Sequence, residues 1–272
     1  MNPALTSLTW TDLPGATLLT VPPSGLRFRF VADTGPRPSA DVGGAWREMR
    51  LANDRLHDGH IIVVNEIEGV EAGADGGGLV IQCSRRRYMD LATQHHPSVG
   101  DHGIRLLGVK GLITGRDRAG REHVLIARRG TQTRVYGGMW EIAPGGGVDA
   151  ASTASEITHD DIARSLVHEA TEEMGVNLSP ADCDPVRAMV MDDRAFSLDL
   201  IMPVRWPGIV DPRRGLCAAD GCEWEYLDVA WVAIDEVGGF AAKNAAAITP
   251  PTLAVWRWRN WTEPSGQSHS TE

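Results

Sequence analysis

The sequence predicts an α/β protein: a layered domain from about residue 101 to 262, a smaller α+β subdomain over 1–100, and a polar tail over 263–272. Three observations carry that expectation. Short apolar runs that fit strands alternate with amphipathic stretches that fit helices, the pattern of a layered sheet. Glycine and proline punctuate them, and His96-Pro97-Ser98-Val99-Gly100 marks the boundary between the two parts. The composition, 42% hydrophobic and 23% charged over 272 residues, is that of a globular chain long enough to bury a core.

The elements follow in order. Leu26 to Val31 alternates as a strand, and a Pro/Gly-rich loop runs from Asp33 to Gly44. Ala45 to Leu56 reads as an amphipathic helix with Trp46, Met49 and Leu56 on one side, stopped by Asp58-Gly59. His60 to Ile67 fits a buried strand, and Gly73 to Gly78 a hairpin loop into Leu79 to Cys83. Ile104 to Thr114 and His123 to Arg128 flank a turn at Arg118-Ala119-Gly120. A glycine-rich loop, Pro144 to Gly147, precedes a long helix that ends near Met174. Strands are expected at Val186 to Met191, Leu198 to Val204 and Val229 to Ile234, with a polar loop from Pro207 to Gly221 and a closing helix at Leu253 to Trp258.

The formal charge of -10 argues against broad nucleic-acid binding, whose non-specific affinity needs a basic footprint. A small phosphorylated ligand remains compatible with that charge where a metal ion or a local arginine neutralises the site. Cys83, Cys183, Cys217 and Cys222 are too few and scattered for a disulfide scaffold, and the spacing of Cys217 and Cys222 is repeated by no second pair as a zinc site would require. No apolar stretch is long enough to span a bilayer, and Met1 to Gly15 lacks the pattern of a secretion signal. The expectation is a cytoplasmic protein, monomer or homodimer, bound to neither membrane nor nucleic acid.

The chemistry concentrates in Pro144-Gly145-Gly146-Gly147 and in His168-Glu169-Ala170-Thr171-Glu172-Glu173-Met174-Gly175-Val176. Thr158 and Asp161 form a capping box at the start of the helix, and Gly175 suits the left-handed residue past its end. Ile162, Ala163, Leu166, Val167, Ala170 and Met174 fall on one arc of about 140°. Glu169, Glu172 and Glu173 lie on the adjoining arc, with Glu173 overlapping the apolar edge. Three such carboxylates repel one another on a bare helix, and burying one adds desolvation cost. A hard divalent cation reverses that balance, because it needs several oxygen ligands from a small region. The glycines allow a sharp turn and offer a backbone carbonyl as a further ligand.

This segment resembles the box of the Nudix hydrolases: Gly, five residues, Glu, seven residues, Arg-Glu, an apolar residue, any residue, Glu-Glu, any residue, Gly, apolar. His168 to Val176 matches it at every fixed position but the first, where histidine replaces arginine. Met139 to Gly146 is similar to the strand and turn that lead into the box. The spacing departs from the family through an insertion, Ala150 to Ile157, ahead of the helix. The resemblance covers roughly Ile104 to Phe240 and implies a Nudix-type α/β/α sandwich around a mixed sheet. It implies magnesium, or manganese, held by Glu169, Glu172 and Glu173 and by the carbonyl of Gly145 or Gly146. It also implies a further catalytic carboxylate on an opposite loop, where Asp220, Glu223 and Glu225 stand, with Glu223 the choice.

The N-terminal part is loosely similar to the extension of the family's UDP-glucose pyrophosphatase, through Trp46 to Gly59 and Tyr88 to Leu91. Such an extension would shape a nucleotide pocket. Tyr88 could then stack a base, beside the basic run Arg85 to Arg87. Arg128 and Arg129 end a strand near the glycine loop and are the candidate phosphate partners. The expected activity is cleavage of the diphosphate in a nucleoside diphosphate linked to another group, such as a UDP-sugar, to a nucleoside monophosphate and a phosphorylated product. The alternative is a Nudix-fold nucleotide or nucleotide-sugar sensor without catalysis.

Overall fold

A computed structural model describes residues 10–22, 25–33, 35, 41–70, 78–213 and 224–262. Its described strands are β1 (Trp10–Leu13), β2 (Ala16–Thr20), β3 (Leu26–Phe30), β4 (His60–Val70), β5 (Gly78–Arg87), β6 (Arg105–Arg116), β7 (Glu122–Arg129), β8 (Trp140–Ile142), β9 (Gly145–Gly147), β10 (Glu156–Ile157), β11 (Ala188–Asp192), β12 (Ser197–Arg205) and β13 (Tyr226–Ala233). The helices are α1 (Val42–Ala52), α2 (Tyr88–Ala92), α3 (His159–Met174), α4 (Val237–Asn244) and α5 (Pro250–Trp258). The fold is mixed α/β, five helices around one large mixed sheet, as the alternation of periods predicts.

Strand β6 organises the sheet. One edge pairs in parallel with β12, from Leu106 opposite Ser197 to Thr114 opposite Arg205. Its other edge is divided among three antiparallel partners. Arg105 and Leu106 pair with β4, Gly108 to Lys110 with β9, and Thr114 to Arg116 with β7. The strands of the first hundred residues therefore continue the same hydrogen-bonded sheet, β4 joining β5 and β5 running parallel to β3.

Alternation along the strands sends side chains to two cores, the period-2 consequence of the pleat. Leu125 and Ala127 of β7 pack in one with Ile162, Leu166 and Ala170 of α3. Val124 and Ile126 pack in the other with Val237 of α4 and Val255 and Trp256 of α5. Helices thus cover both faces. A third cluster, Val63, Leu91 and Ile104, seats α2 against the sheet.

Several elements differ from the sequence reading. Gly145 to Gly147, expected as a loop, is a strand because Gly108 to Lys110 offers it a free edge. Helix α1 spans Val42–Ala52 rather than Ala45 to Leu56, because Asn53 leaves the helix in an extended conformation and its side chain accepts from Arg55 N–H instead. The insertion Ala150 to Ile157 is largely exposed, but its end forms β10 on β3 and buries Ile157. The hairpin β1–β2, packed on β11, was not anticipated. The expected loop Gly73 to Gly78 lies mostly outside the described residues, although the strands it joins pair antiparallel. Among the described residues no helix is long and apolar enough to cross a membrane.

Candidate active site

Helix α3 is fixed at both ends. The Thr158 side chain accepts from Asp161 N–H while the Asp161 carboxylate accepts from Thr158 N–H, and Gly175 caps the far end at φ 63. Its apolar arc faces the sheet as expected, which turns Glu169 and Glu173, one helical turn apart, toward β9. Gly146 makes that approach possible, because a Cβ there would collide with the Glu169 carboxylate. Glu173 is only 6% exposed. Its Oε2 accepts from Tyr226 Oη at 3.2 Å and, weakly, from Gly145 N–H at 3.4 Å.

Burial pushes the Glu169 carboxyl up to about 7, and Glu225 and Glu172 add to the effect. The Glu173 carboxyl is also raised well above the ordinary range, again by burial first and then by Glu169 and Glu225. Glu225 itself is raised by burial against the pull of Arg129. The loop that carries it is held by Gly130, whose N–H donates to the Glu225 carbonyl at 2.6 Å. A Cβ at Gly130 would collide with the Trp224 carbonyl, so glycine is required for this close approach.

Glu172 stands apart. It is exposed on the outer edge of α3, 3.3 Å from His168. Among the described residues no group of three or more His, Cys, Asp or Glu side chains is gathered closely enough to hold a metal ion. What the site does hold is the buried Glu173 and the half-buried Glu169, neither in an ion pair among the described residues, against a glycine backbone. That donor set suits a hard divalent cation that takes its other ligands from backbone carbonyl, water or phosphate.

The other sequence candidates divide. Arg129 and Tyr88 line the same cleft of about 430 Å³ as Glu169, Glu173, Trp224 and Glu225. Tyr88 is set edge-on against Trp46, with ring centroids 6.2 Å apart. Arg128 is exposed and donates to the Gly138 carbonyl at 3.0 Å, on the other side of its strand from Arg129. Arg85, Arg86 and Arg87 are engaged elsewhere: Arg85 over Phe30, Arg86 with Asp33, and Arg87 with Asp58. Glu223 and Asp220 lie outside the described residues, which leaves Glu225 as the placed loop carboxylate.

Sequence reasoning missed a second charged group behind the glycine strand. Glu141, almost wholly buried, accepts from Lys110 Nζ at 2.7 Å and from Arg129. The two cations outweigh its burial and hold its carboxyl below the usual range. Arg129 also donates to the Val135 carbonyl at 3.1 Å, so its position is fixed on both sides. A smaller cavity of about 130 Å³ lies there, lined by Lys110, Glu141, Tyr136, Asp192 and Asp199, and shares Arg129, Arg134 and the three glycines with the cleft. Asp199 fits because its register partner is Gly108, where a Cβ would meet its carboxylate. The visible signal was one charge in each of two apolar strands, Lys110 and Glu141, of opposite sign.

No protein-family model matches the chain, and no curated protein matches it. Solved structures similar to it include a MutT/nudix family protein from Enterococcus faecalis, at 19% identity and a TM-score of 0.34 over 47% of this chain and 44% of that one. The match therefore covers less than half of that protein's length. A Nudix hydrolase from M. smegmatis, RenU, is similar at 23% identity and a TM-score of 0.35, over 58% of this chain and 86% of that one. DR0079 from Deinococcus radiodurans is similar at 16% identity and a TM-score of 0.41, over 73% and 98%. These are likenesses of fold to Nudix hydrolases and other proteins over about half to three-quarters of the chain, and the functional reading rests on the residues themselves.

Proposed function

We propose that this protein is a divalent-metal-dependent hydrolase that cleaves the diphosphate of a nucleoside diphosphate linked to another group, a nucleotide sugar such as a UDP-sugar being the preferred substrate. One observation carries the reading. Glu173 is buried and Glu169 half-buried beside it against a glycine strand, in the wall of an open cleft, and among the described residues neither forms an ion pair. Unpaired buried carboxylates are costly unless a ligand compensates them.

A bound magnesium or manganese ion would neutralise the diphosphate and acidify a coordinated water. Glu169, Glu173 and the carbonyl of Gly145 or Gly146 would hold it. Glu225, on the facing loop with a raised carboxyl, is suited to accept a proton from the attacking water. Water adds to one phosphorus, the bridging P–O bond breaks, and a nucleoside monophosphate and a phosphorylated remainder leave. Arg129, locked by Glu141 and Val135, presents a fixed positive group on the phosphate side. Tyr88 and Trp224 line the same cleft and offer aromatic faces to the nucleoside.

The test is a panel of nucleotide sugars, ADP-ribose, dinucleotides and nucleoside triphosphates with magnesium or manganese, with products identified. Nucleotide sugars should be cleaved best, and chelator should abolish turnover until metal is restored. Undiminished turnover in excess chelator would sink the mechanism. A triphosphate preferred over every nucleotide sugar would overturn only the substrate. One observation favours a binding module instead, the exposed pairing of Glu172 with His168 on the edge of α3. Tight nucleotide binding with no product from any substrate would establish that reading.

A further inference from the structure

Three cations stand around the glycine strand, and they are not equivalent. Lys110 and Arg129 share Glu141, one on each carboxylate oxygen. Arg134 forms an ion pair with no carboxylate among the described residues. Its NH2 donates to the Ala195 carbonyl at 3.1 Å, and its NH1 is buried without an acceptor among the described residues. Asp192, which lines the smaller cavity with Arg134, is engaged elsewhere, its Oδ1 accepting from Tyr136 Oη and from the N–H groups of Arg194 and Ala195.

The position of this guanidinium is built. It projects from the loop between β7 and β8, where Thr133 Oγ1 donates to the Gly130 carbonyl at 2.8 Å. On its other side, Ala195 belongs to the turn between β11 and β12. Arg134 lines both cavities, beside the glycines that face Glu169 and Glu173. Its charge is felt nearby: burial first, then Arg134 and Arg194, depress His95 to about 4, which leaves that imidazole neutral at neutral pH. A guanidinium with a buried N–H left without an acceptor and no ion pair among the described residues is poised for an anion, and a phosphate offers it two parallel acceptors.

We infer, on the basis of the diphosphatase reading above, that Arg134 is a specificity-determining residue that binds a phosphoryl oxygen of the substrate at the wall between the two cavities. The carboxylates opposite repel a diphosphate, and Arg134 supplies attraction from the other side. Substrates whose diphosphate reaches that wall are held, and neutral ligands of similar shape are not.

The experiment compares the parent with R134Q, R134K and a surface control, R121Q, whose arginine pairs with Asp235 and Glu236 at the exposed surface. KM and kcat for the best-cleaved nucleotide sugar, inhibition by inorganic pyrophosphate, and melting temperature are measured for each. R134Q should raise KM and the pyrophosphate inhibition constant by about tenfold or more, with kcat within about threefold. R134K should recover part of the loss, and R121Q should match the parent. A parental KM and inhibition constant in folded R134Q would overturn the role of Arg134 while leaving the diphosphatase reading intact. So would a fall in melting temperature shared by R134Q and R134K, which would mark the residue as structural. No hydrolysis of any diphosphate by the parent would overturn the diphosphatase reading and this inference with it.

Discussion

Two buried acids lie on either side of the glycine strand, and they are treated in opposite ways. Glu141 receives a cation on each oxygen and its carboxyl is held low. Glu173, a helical turn from Glu169, receives a tyrosine hydroxyl and a distant N–H, and its carboxyl is pushed up. The first arrangement is complete within the chain and serves the fold. The second, on the proposed reading, is completed by a cation from outside. A buried carboxyl whose ionised form the chain leaves unsupported, in the wall of a cleft, is a candidate ligand site.

Removing one partner of the completed cluster should produce the largest effect. E141Q removes the anion that Lys110 and Arg129 share, and unfolding in urea should show a loss of about 3–5 kcal/mol. An unchanged midpoint would erase the distinction between the two clusters. The next effect is on activity. G146A places a methyl group where the Glu169 carboxylate lies, so that carboxylate must move. Turnover should fall by about a hundredfold, since a displacement near 1 Å at a catalytic group has about that cost. In G147A the new methyl meets only Leu106 Cδ1 at 3.7 Å, and the loss should be much smaller. Equal losses would show that the close approach of Glu169 is unimportant.

Asp199 gives a smaller effect that depends on pH. Burial raises its carboxyl from 3.8 to about 6, with Lys110 opposing. The folded protein therefore holds a proton that the unfolded chain has released, and stability falls as pH rises from about 4 to about 6. The contribution is on the order of 1–3 kcal/mol, and D199N should flatten that part of the stability–pH profile. An unaltered profile in D199N would place the titration elsewhere. The smallest effect is expected at the outer edge of α3. His168 and Glu172 are exposed, and such pairs contribute no more than about 1 kcal/mol. H168R should keep the parental melting temperature and cleave substrate at an equal or modestly higher rate. Complete loss of activity in folded H168R would give this histidine a role of its own.

What the sequence revealed followed local periodicity. The limits of α3, its capping box and its glycine stop are all encoded within a few residues of where they act, and so is the burial of Glu173. The same arithmetic placed Glu172 on the carboxylate arc, but its offset from Glu173 was enough to leave it outside the cleft. The Lys110–Glu141–Arg129 cluster showed in the sequence only as lone charges in apolar strands, because three strands bring those residues together through register. The strand formed by Gly145 to Gly147 escaped for a related reason. Nothing in three glycines specifies an extended backbone, and only the free edge of β6 imposes one.

The most direct test of the contrast is the stabilisation of the substrate-free protein by magnesium, read as melting temperature across a metal titration in the parent and in E173Q. Without metal, E173Q should melt close to the parental temperature, because burial already favours the neutral form of the Glu173 carboxyl and glutamine keeps a neutral acceptor for Tyr226. With metal, the parent should gain stability with saturation, and E173Q should gain much less. A parent that gains nothing from magnesium, or an E173Q variant that gains as much as the parent, would contradict the assignment of Glu169 and Glu173 as a site completed by a cation.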